Sequence, residues 1–178
     1  MKVLGISGSP ISDGNTNAFL KEALNGAEQV GGVATELVTV AGKKIQDCHH
    51  CNWCLIKQEE GKFCAYEDDM VGLYPKFLEA DGLLLSTPVY FGRLSGYLAS
   101  LLDRLRAFGH GRYYRDALKN KVGGALAVSW FRNAGGETAL ITLVSALFGL
   151  GLIMVNPPGA GNHYGAIGLT SDGGTGKF

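Results

Sequence analysis

No segment of this 178-residue chain carries a run of one charge, and 16 Lys and Arg balance 16 Asp and Glu. A nucleic-acid partner needs a basic stripe to displace counterions along the phosphates, so nucleic-acid binding is set aside. The chain also lacks an uninterrupted apolar run of membrane-spanning length. Its nearest approach, Ala139 to Val155, is uncharged, but Thr142, Ser145, Gly149 and Gly151 break it, and it reads as a buried helix followed by a buried strand. The opening residues, Met1 to Pro10, are apolar over too short a stretch to form a secretory signal, so a cytoplasmic protein is expected. Neither the GxxxxGKS/T phosphate loop nor GxGxxG is present, which argues against nucleoside triphosphate hydrolysis and a dinucleotide fingerprint. His110 and His163 stand alone, with no acid-base or nucleophilic constellation around them. The chemistry is therefore expected to belong to bound cofactors.

Cysteine is absent everywhere except one stretch, where four fall within the 17 residues from Cys48 to Cys64. Cys48, Cys51 and Cys54 repeat as C-x2-C-x2-C, and Cys64 follows after nine intervening residues. This spacing resembles the ferredoxin pattern, in which thiolates hold a 4Fe-4S cluster. Loop-closure cost grows slowly with length, so the longer gap to Cys64 still permits ligation. Zinc held by the same four residues is the alternative, although zinc sites more often pair two C-x2-C knuckles. Disulfides do not suit a cytoplasmic chain. His49 and His50 read as loop residues, because four thiolates already complete a cluster, and Trp53 and Phe63 are expected to shield it from water.

Along the chain, apolar runs bounded by glycine alternate with amphipathic stretches. Strands are expected over Lys2 to Ser7, Val33 to Val40, Gly82 to Thr87, Lys121 to Ser129 and Leu152 to Val155. Helices are expected over Thr16 to Val30, Asp68 to Ala80 with a kink at Pro75, Leu94 to Leu105, and Glu137 to Phe148. In the third of these, Leu94, Leu98, Leu101, Leu102 and Leu105 face the core, and Asp103, Arg104 and Arg106 are placed outside. Strand and helix in alternation predict one α/β domain over residues 1–178, with a parallel sheet covered on both faces. Residues 159–178 form a glycine-rich tail without apolar period, read as mobile or as docking on a partner subunit.

In such a sheet, ligands bind outside the carboxyl ends of the strands, where strand order reverses. The first loop, Ser7-Gly8-Ser9-Pro10 through Asp13-Gly14-Asn15-Thr16, offers hydroxyls, an amide and a helix N-terminus, all suited to a phosphate. The third-strand loop, Thr87 to Gly92, places flat apolar groups beside backbone donors, and the loop from Ser129 to Gly136 adds small residues that allow close approach.

The set S-G-S-P-x-x-x-G-N-T, D-G-x-x-x-x-x-P-V-Y-F-G and R-N-A-G-G-E-T resembles the NADPH-dependent FMN reductase superfamily, and with the cysteines it resembles the iron-sulfur flavoproteins of anaerobic microbes. The resemblance runs from Met1 to about Val155. It implies a flavodoxin-like, doubly wound five-stranded sheet in the order 2-1-3-4-5, with the cysteine loop after strand two. It also implies FMN, with its phosphate in the first loop at Ser7, Ser9, Pro10, Asn15 and Thr16. The isoalloxazine would lie against Pro88, Val89, Tyr90, Phe91 and Gly92 and against Ser129, Trp130, Asn133 and Gly135. Where the family commonly has an arginine after Ser-Pro, this chain has Ile11. A homodimer or homotetramer follows from the family, whose flavin sites lie near subunit contacts.

Because the cysteine stretch leaves strand two, cluster and flavin are expected at one sheet edge. The combined expectation is an electron-transfer flavoprotein linking a one-electron carrier such as ferredoxin to a two-electron partner, NAD(P)H or a small-molecule acceptor. Two alternatives stand beside it. One is an NAD(P)H-dependent FMN or quinone reductase with a zinc-bound or empty cysteine loop, and the other is a non-enzymatic redox sensor or carrier module.

Overall fold

The computed structural model describes residues 1–156 and 163–170. Its elements in chain order are β1 (Lys2–Ser7), α1 (Asn15–Gln29), β2 (Ala34–Thr39), α2 (Trp53–Ile56), α3 (Tyr74–Glu79) and β3 (Gly82–Pro88). There follow α4 (Gly96–Arg104), α5 (Arg106–Gly109), β4 (Val122–Ser129), α6 (Gly136–Gly149), β5 (Ile153–Met154) and β6 (Ala166–Leu169). All strand pairs are parallel, in the order β2-β1-β3-β4-β5. The central strands β3 and β4 are buried along almost their whole length, as strands covered on both faces must be.

β5 pairs with only Val122 and Gly123 at the start of β4. The remaining edge of β4, Leu126 to Ser129, is taken by β6, whose four residues come from the segment read in the sequence as a structureless tail. Unpaired backbone donors and acceptors along a buried strand are costly, and β6 satisfies them there. The rest of that tail, residues 159–162 and 171–178, lies outside the described residues.

One face of the sheet is covered by α1 through Leu20 and Leu24, packed on Leu126. The other carries the larger core, in which Leu98, Leu101 and Leu105 meet Leu83, Leu85, Phe77 and Phe108. The helix expected over Asp68 to Ala80 begins only at Tyr74, so Pro75 sits in its first turn and causes no kink, since a missing N–H costs nothing there. Asp68 is not its cap. It accepts hydrogen bonds from the Gln46 and Met70 N–H groups and pairs with Arg104.

Among the described residues no helix is long and apolar enough to cross a membrane.

Candidate cofactor sites

At the carboxyl ends of β1, β3 and β4 lies a cavity of about 610 Å³. Of the residues expected to hold FMN, it brings together Ser9, Asn15, Thr16, Pro88, Val89, Tyr90, Ser129 and Trp130. The N-cap of α1 is Gly14, which has no side chain to cap the helix. The positive end of a 15-residue helix dipole therefore faces the cavity with no side-chain cap, an arrangement that favours an anion.

Ser7, Pro10, Phe91, Gly92, Asn133 and Gly135 do not line this cavity. Ser7 is fully buried beneath it, where its carbonyl accepts from Val40 N at 3.0 Å. Phe91 and Gly92, at φ 49° and 75°, form the tip of a two-residue hairpin closed by hydrogen bonds between Tyr90 and Arg93. Gly135 packs against that tip so closely that an added Cβ would lie 2.4 Å from Gly92 Cα. Its φ of 94° likewise suits glycine. Gly92 and Gly135 thereby bring the loops after β3 and β4 into contact.

Among the residues that the sequence did not assign to the cofactor are Ile11, Thr170 and Ser95. Ile11 and Thr170 line the cavity, the latter delivered by the end of β6, where Thr170 N donates to Ser129 O at 3.0 Å. Ser95 ties two loops together: its hydroxyl donates to Gly8 O at 2.6 Å and accepts from Leu98 N as the cap of α4, while its N–H donates to Thr87 Oγ1 at 3.0 Å. A serine just ahead of an apolar helical period is a cap signal, so this residue was findable.

The cysteine stretch builds a second cavity. Cys48, Cys51, Cys54 and Cys64 all line it, together with His49, His50, Asn52, Tyr66, Arg104, Arg106 and Ala107. All four are free thiols, with Cys51 exposed and the others half-buried. Burial pushes the Cys54 thiol up, the Arg106 charge opposes this, and the neighbouring Cys64, Cys48 and Cys51 add to it. Among the described residues, no three His, Cys, Asp or Glu side chains stand close enough to share one metal ion. The histidine rings are engaged elsewhere, His49 Nδ1 with the Tyr66 hydroxyl at 2.6 Å and His50 with Arg106. Trp53 and Phe63, expected as shields, do not line the cavity; Phe63 stacks between Tyr74 and Tyr114 in the core below.

Arg104, expected on the outside of its helix, is buried, with a side-chain exposure of 1%. It makes a two-pronged pair with Asp68, Nη1 to Oδ2 at 2.6 Å and Nη2 to Oδ1 at 3.1 Å. Burial opposes charge on Asp68, but Arg104 and the Gln46 N–H hold its carboxyl below the usual range.

The two cavities do not share the sheet edge. The segment 46–52 lies along α4 and reaches α5: Gln46 and Asp47 meet Arg104 and Ser100 of α4, and His50 and Asn52 meet Arg106 of α5. The upper cavity adjoins the start of α4, and the cysteine cavity its end. The nine residues of α4 rise about 13 Å, which separates the two sites by roughly one helix length.

Residues 1–165 match the family of NADPH-dependent FMN reductases. The chain belongs to that family. Its function is accordingly flavin-based redox chemistry. An iron-sulfur flavoprotein of Methanocaldococcus jannaschii is 41% identical over 169 residues, covering 95% of this chain and 83% of the relative. One from Archaeoglobus fulgidus is 38% identical over 164 residues, covering 92% and 80%. Among solved structures, RosB with a bound flavin intermediate superposes with a TM-score of 0.70 at 22% identity, over 96% of this chain and 66% of that one. An NADH:FMN oxidoreductase superposes with a TM-score of 0.63 at 22% identity, over 86% and 71%. At those identities the structural likeness establishes the flavodoxin-like fold.

Proposed function

We propose that this protein is an electron-transfer iron-sulfur flavoprotein, with FMN in the upper cavity and a 4Fe-4S cluster on Cys48, Cys51, Cys54 and Cys64. The observation that carries the reading is the convergence of all four cysteines on one cavity within a flavin-reductase fold. Two buried guanidinium N–H groups, Arg104 Nε and Arg106 Nε, lack partners at that cavity, and an anionic cluster with sulfur acceptors fits such donors.

FMN exchanges electrons singly or in pairs and the cluster singly, so together they would join a one-electron carrier such as ferredoxin to a two-electron donor or acceptor, NAD(P)H among them. In the upper cavity, Ser9, Asn15 and Thr16 bind the phosphate at the N-terminus of α1. Pro88, Val89 and Tyr90 flank one side of the ring, and Ser129 and Trp130 the other. Gly92 and Gly135 set how far apart those walls stand. Tyr90, Phe91, Trp130 and Phe131 are exposed around this region, which supports a homodimer or homotetramer in which a second copy covers them. Four free thiols suit the reducing cytoplasm.

The test is an absorption spectrum with metal and sulfide analysis on anaerobically purified protein. A flavin band with broad iron-sulfur absorbance, and about four iron and four sulfide per chain, is expected. A flavin band with zinc, or with no metal, would refute the cluster and leave an NAD(P)H-dependent FMN or quinone reductase.

A further inference from the structure

Arg104 and Arg106 stand two positions apart at the junction of α4 and α5, and both line the cavity bounded by the four cysteines. In each, the outer nitrogens are committed to fixed partners. Arg104 Nη1 and Nη2 hold Asp68, Nη1 also donates to Gln46 O at 2.9 Å, and the guanidinium lies over the Tyr66 ring at 5.4 Å. Arg106 Nη2 donates to Asn52 Oδ1 at 2.9 Å, and its Nη1 meets His50. The guanidinium nitrogen that has no partner at all in either residue is Nε, which is buried. Few buried donors in folded proteins stay unpaired, and each one asks for an acceptor.

The placement of the two differs in a useful way. Both side chains line one cavity with all four cysteines. Within it the Arg104 charge acts on Cys64 and the Arg106 charge on Cys54. Around the cavity, His49 Nδ1 meets the Tyr66 hydroxyl at 2.6 Å and His50 meets Arg106.

We propose that Arg104 and Arg106 set the reduction potential of the cluster, each donating its Nε–H to sulfur in the cysteine cavity. The inference rests on the cluster reading above. Hydrogen bonds to sulfur and nearby positive charge favour the form carrying the extra electron, and so raise the potential. No other group need gain or lose an electron for this effect.

The variants are Arg106→Lys, which keeps charge but loses Nε–H, Arg106→Gln, which loses both, and Arg104→Lys, which keeps a cation against Asp68. Arg106 is the less buried, so its variants keep the test intact if Arg104→Lys fails to fold. The readouts are a redox titration of the cluster, the FMN potential in the same sample, and resonance Raman spectra in H₂O and D₂O. Arg106→Lys is expected to lower the reduced-to-oxidised ratio of the cluster about tenfold at a fixed potential, or about 59 mV for one electron. Arg106→Gln should lower it further, with the FMN potential unmoved. Wild-type iron–sulfur bands should shift in D₂O, and less so in the variants.

A loaded cluster whose ratio moves less than twofold in both Arg106 variants, with unchanged Raman shifts, would overturn this inference alone. A wild-type chain without iron or sulfide would overturn the cluster reading and this inference with it.

Discussion

Replacing Asp68 by asparagine tests the most deeply buried ion pair among the described residues. The side chains of Arg104 and Asp68 are 1% and 3% exposed, and the pair is two-pronged. The amide would keep the shape of the carboxylate and lose its charge, leaving a buried guanidinium without its anion. Breaking one partner of a buried pair costs about 3–5 kcal/mol, against a net stability of about 5–15 kcal/mol for a domain. With a urea slope of about 2–3 kcal/mol/M, the unfolding midpoint should fall by roughly 1–2.5 M. The pH dependence gives a second arm. The folded-state pKa of Asp68 is depressed, so its contribution is fully present above the unfolded-chain value of about 3.9 and is lost as pH falls through the lower folded value. The gap between wild type and Asp68→Asn should therefore be widest near neutrality, begin to shrink below about pH 3.9, where the unfolded chain takes up the proton, and close only below the lower folded value, where Asp68 in the folded protein is protonated. A midpoint within about 0.3 M of wild type at pH 7, or a gap constant from about pH 2 to 7, would refute the reasoning.

Three further outcomes are expected. Gly135→Ala forces a side chain into φ 94° and to within 2.4 Å of Gly92 Cα; it should cost roughly 2–4 kcal/mol and weaken FMN binding at least about tenfold in a fluorescence titration. Ile11→Arg, at an exposed position on the cavity rim, restores the charge common in the family and should tighten FMN about fivefold at low salt, with the gain fading in about 1 M salt. Gln58→Leu removes four hydrogen bonds from a buried amide and should cost roughly 3–4 kcal/mol by urea denaturation; bound iron should be lost faster to a chelator while FMN content holds.

The sheet was legible because its strands declare themselves locally. Lys2 to Ser7, Gly82 to Pro88 and Val122 to Ser129 are continuous apolar runs closed by turn residues, and their order follows from the family likeness. β6 was not legible. Four residues in a glycine-rich segment are too few to show a period, and what makes them a strand is the edge that two-residue β5 leaves open on β4. Arg104 was misplaced for a similar reason. Helical period puts it on the polar side, but the partner that makes its burial tolerable is Asp68, 36 positions earlier, and no local pattern links the two. Pro75 could have kinked a helix or opened one, and only the point where Tyr74 starts the turn decides.

The cysteines were legible as a set, and their position was not. Spacing alone says that Cys64 can reach the other three; it does not say that the intervening loop is folded. Gln58 makes it so. Its amide nitrogen donates to Phe63 O at 3.1 Å and Ala107 O at 3.0 Å, and its oxygen accepts from Tyr113 N and Tyr114 N at 3.0 Å each. Every hydrogen-bonding site of a buried side chain is thereby used to fasten residues 58–63 to the segment after α5. Gly61, at φ 75°, turns the chain between Glu59 and Lys62, and Phe63 anchors the return between Tyr74 and Tyr114. Much of the conformational entropy of a nine-residue gap is thus lost on folding, before any ligand binds. The same fastening explains why the cysteine cavity lies at the far end of α4. Ala107 and Arg106 hold the loop there, and residues 46–52 must follow α4 downward to join it, a consequence of tertiary contacts that strand order alone cannot supply.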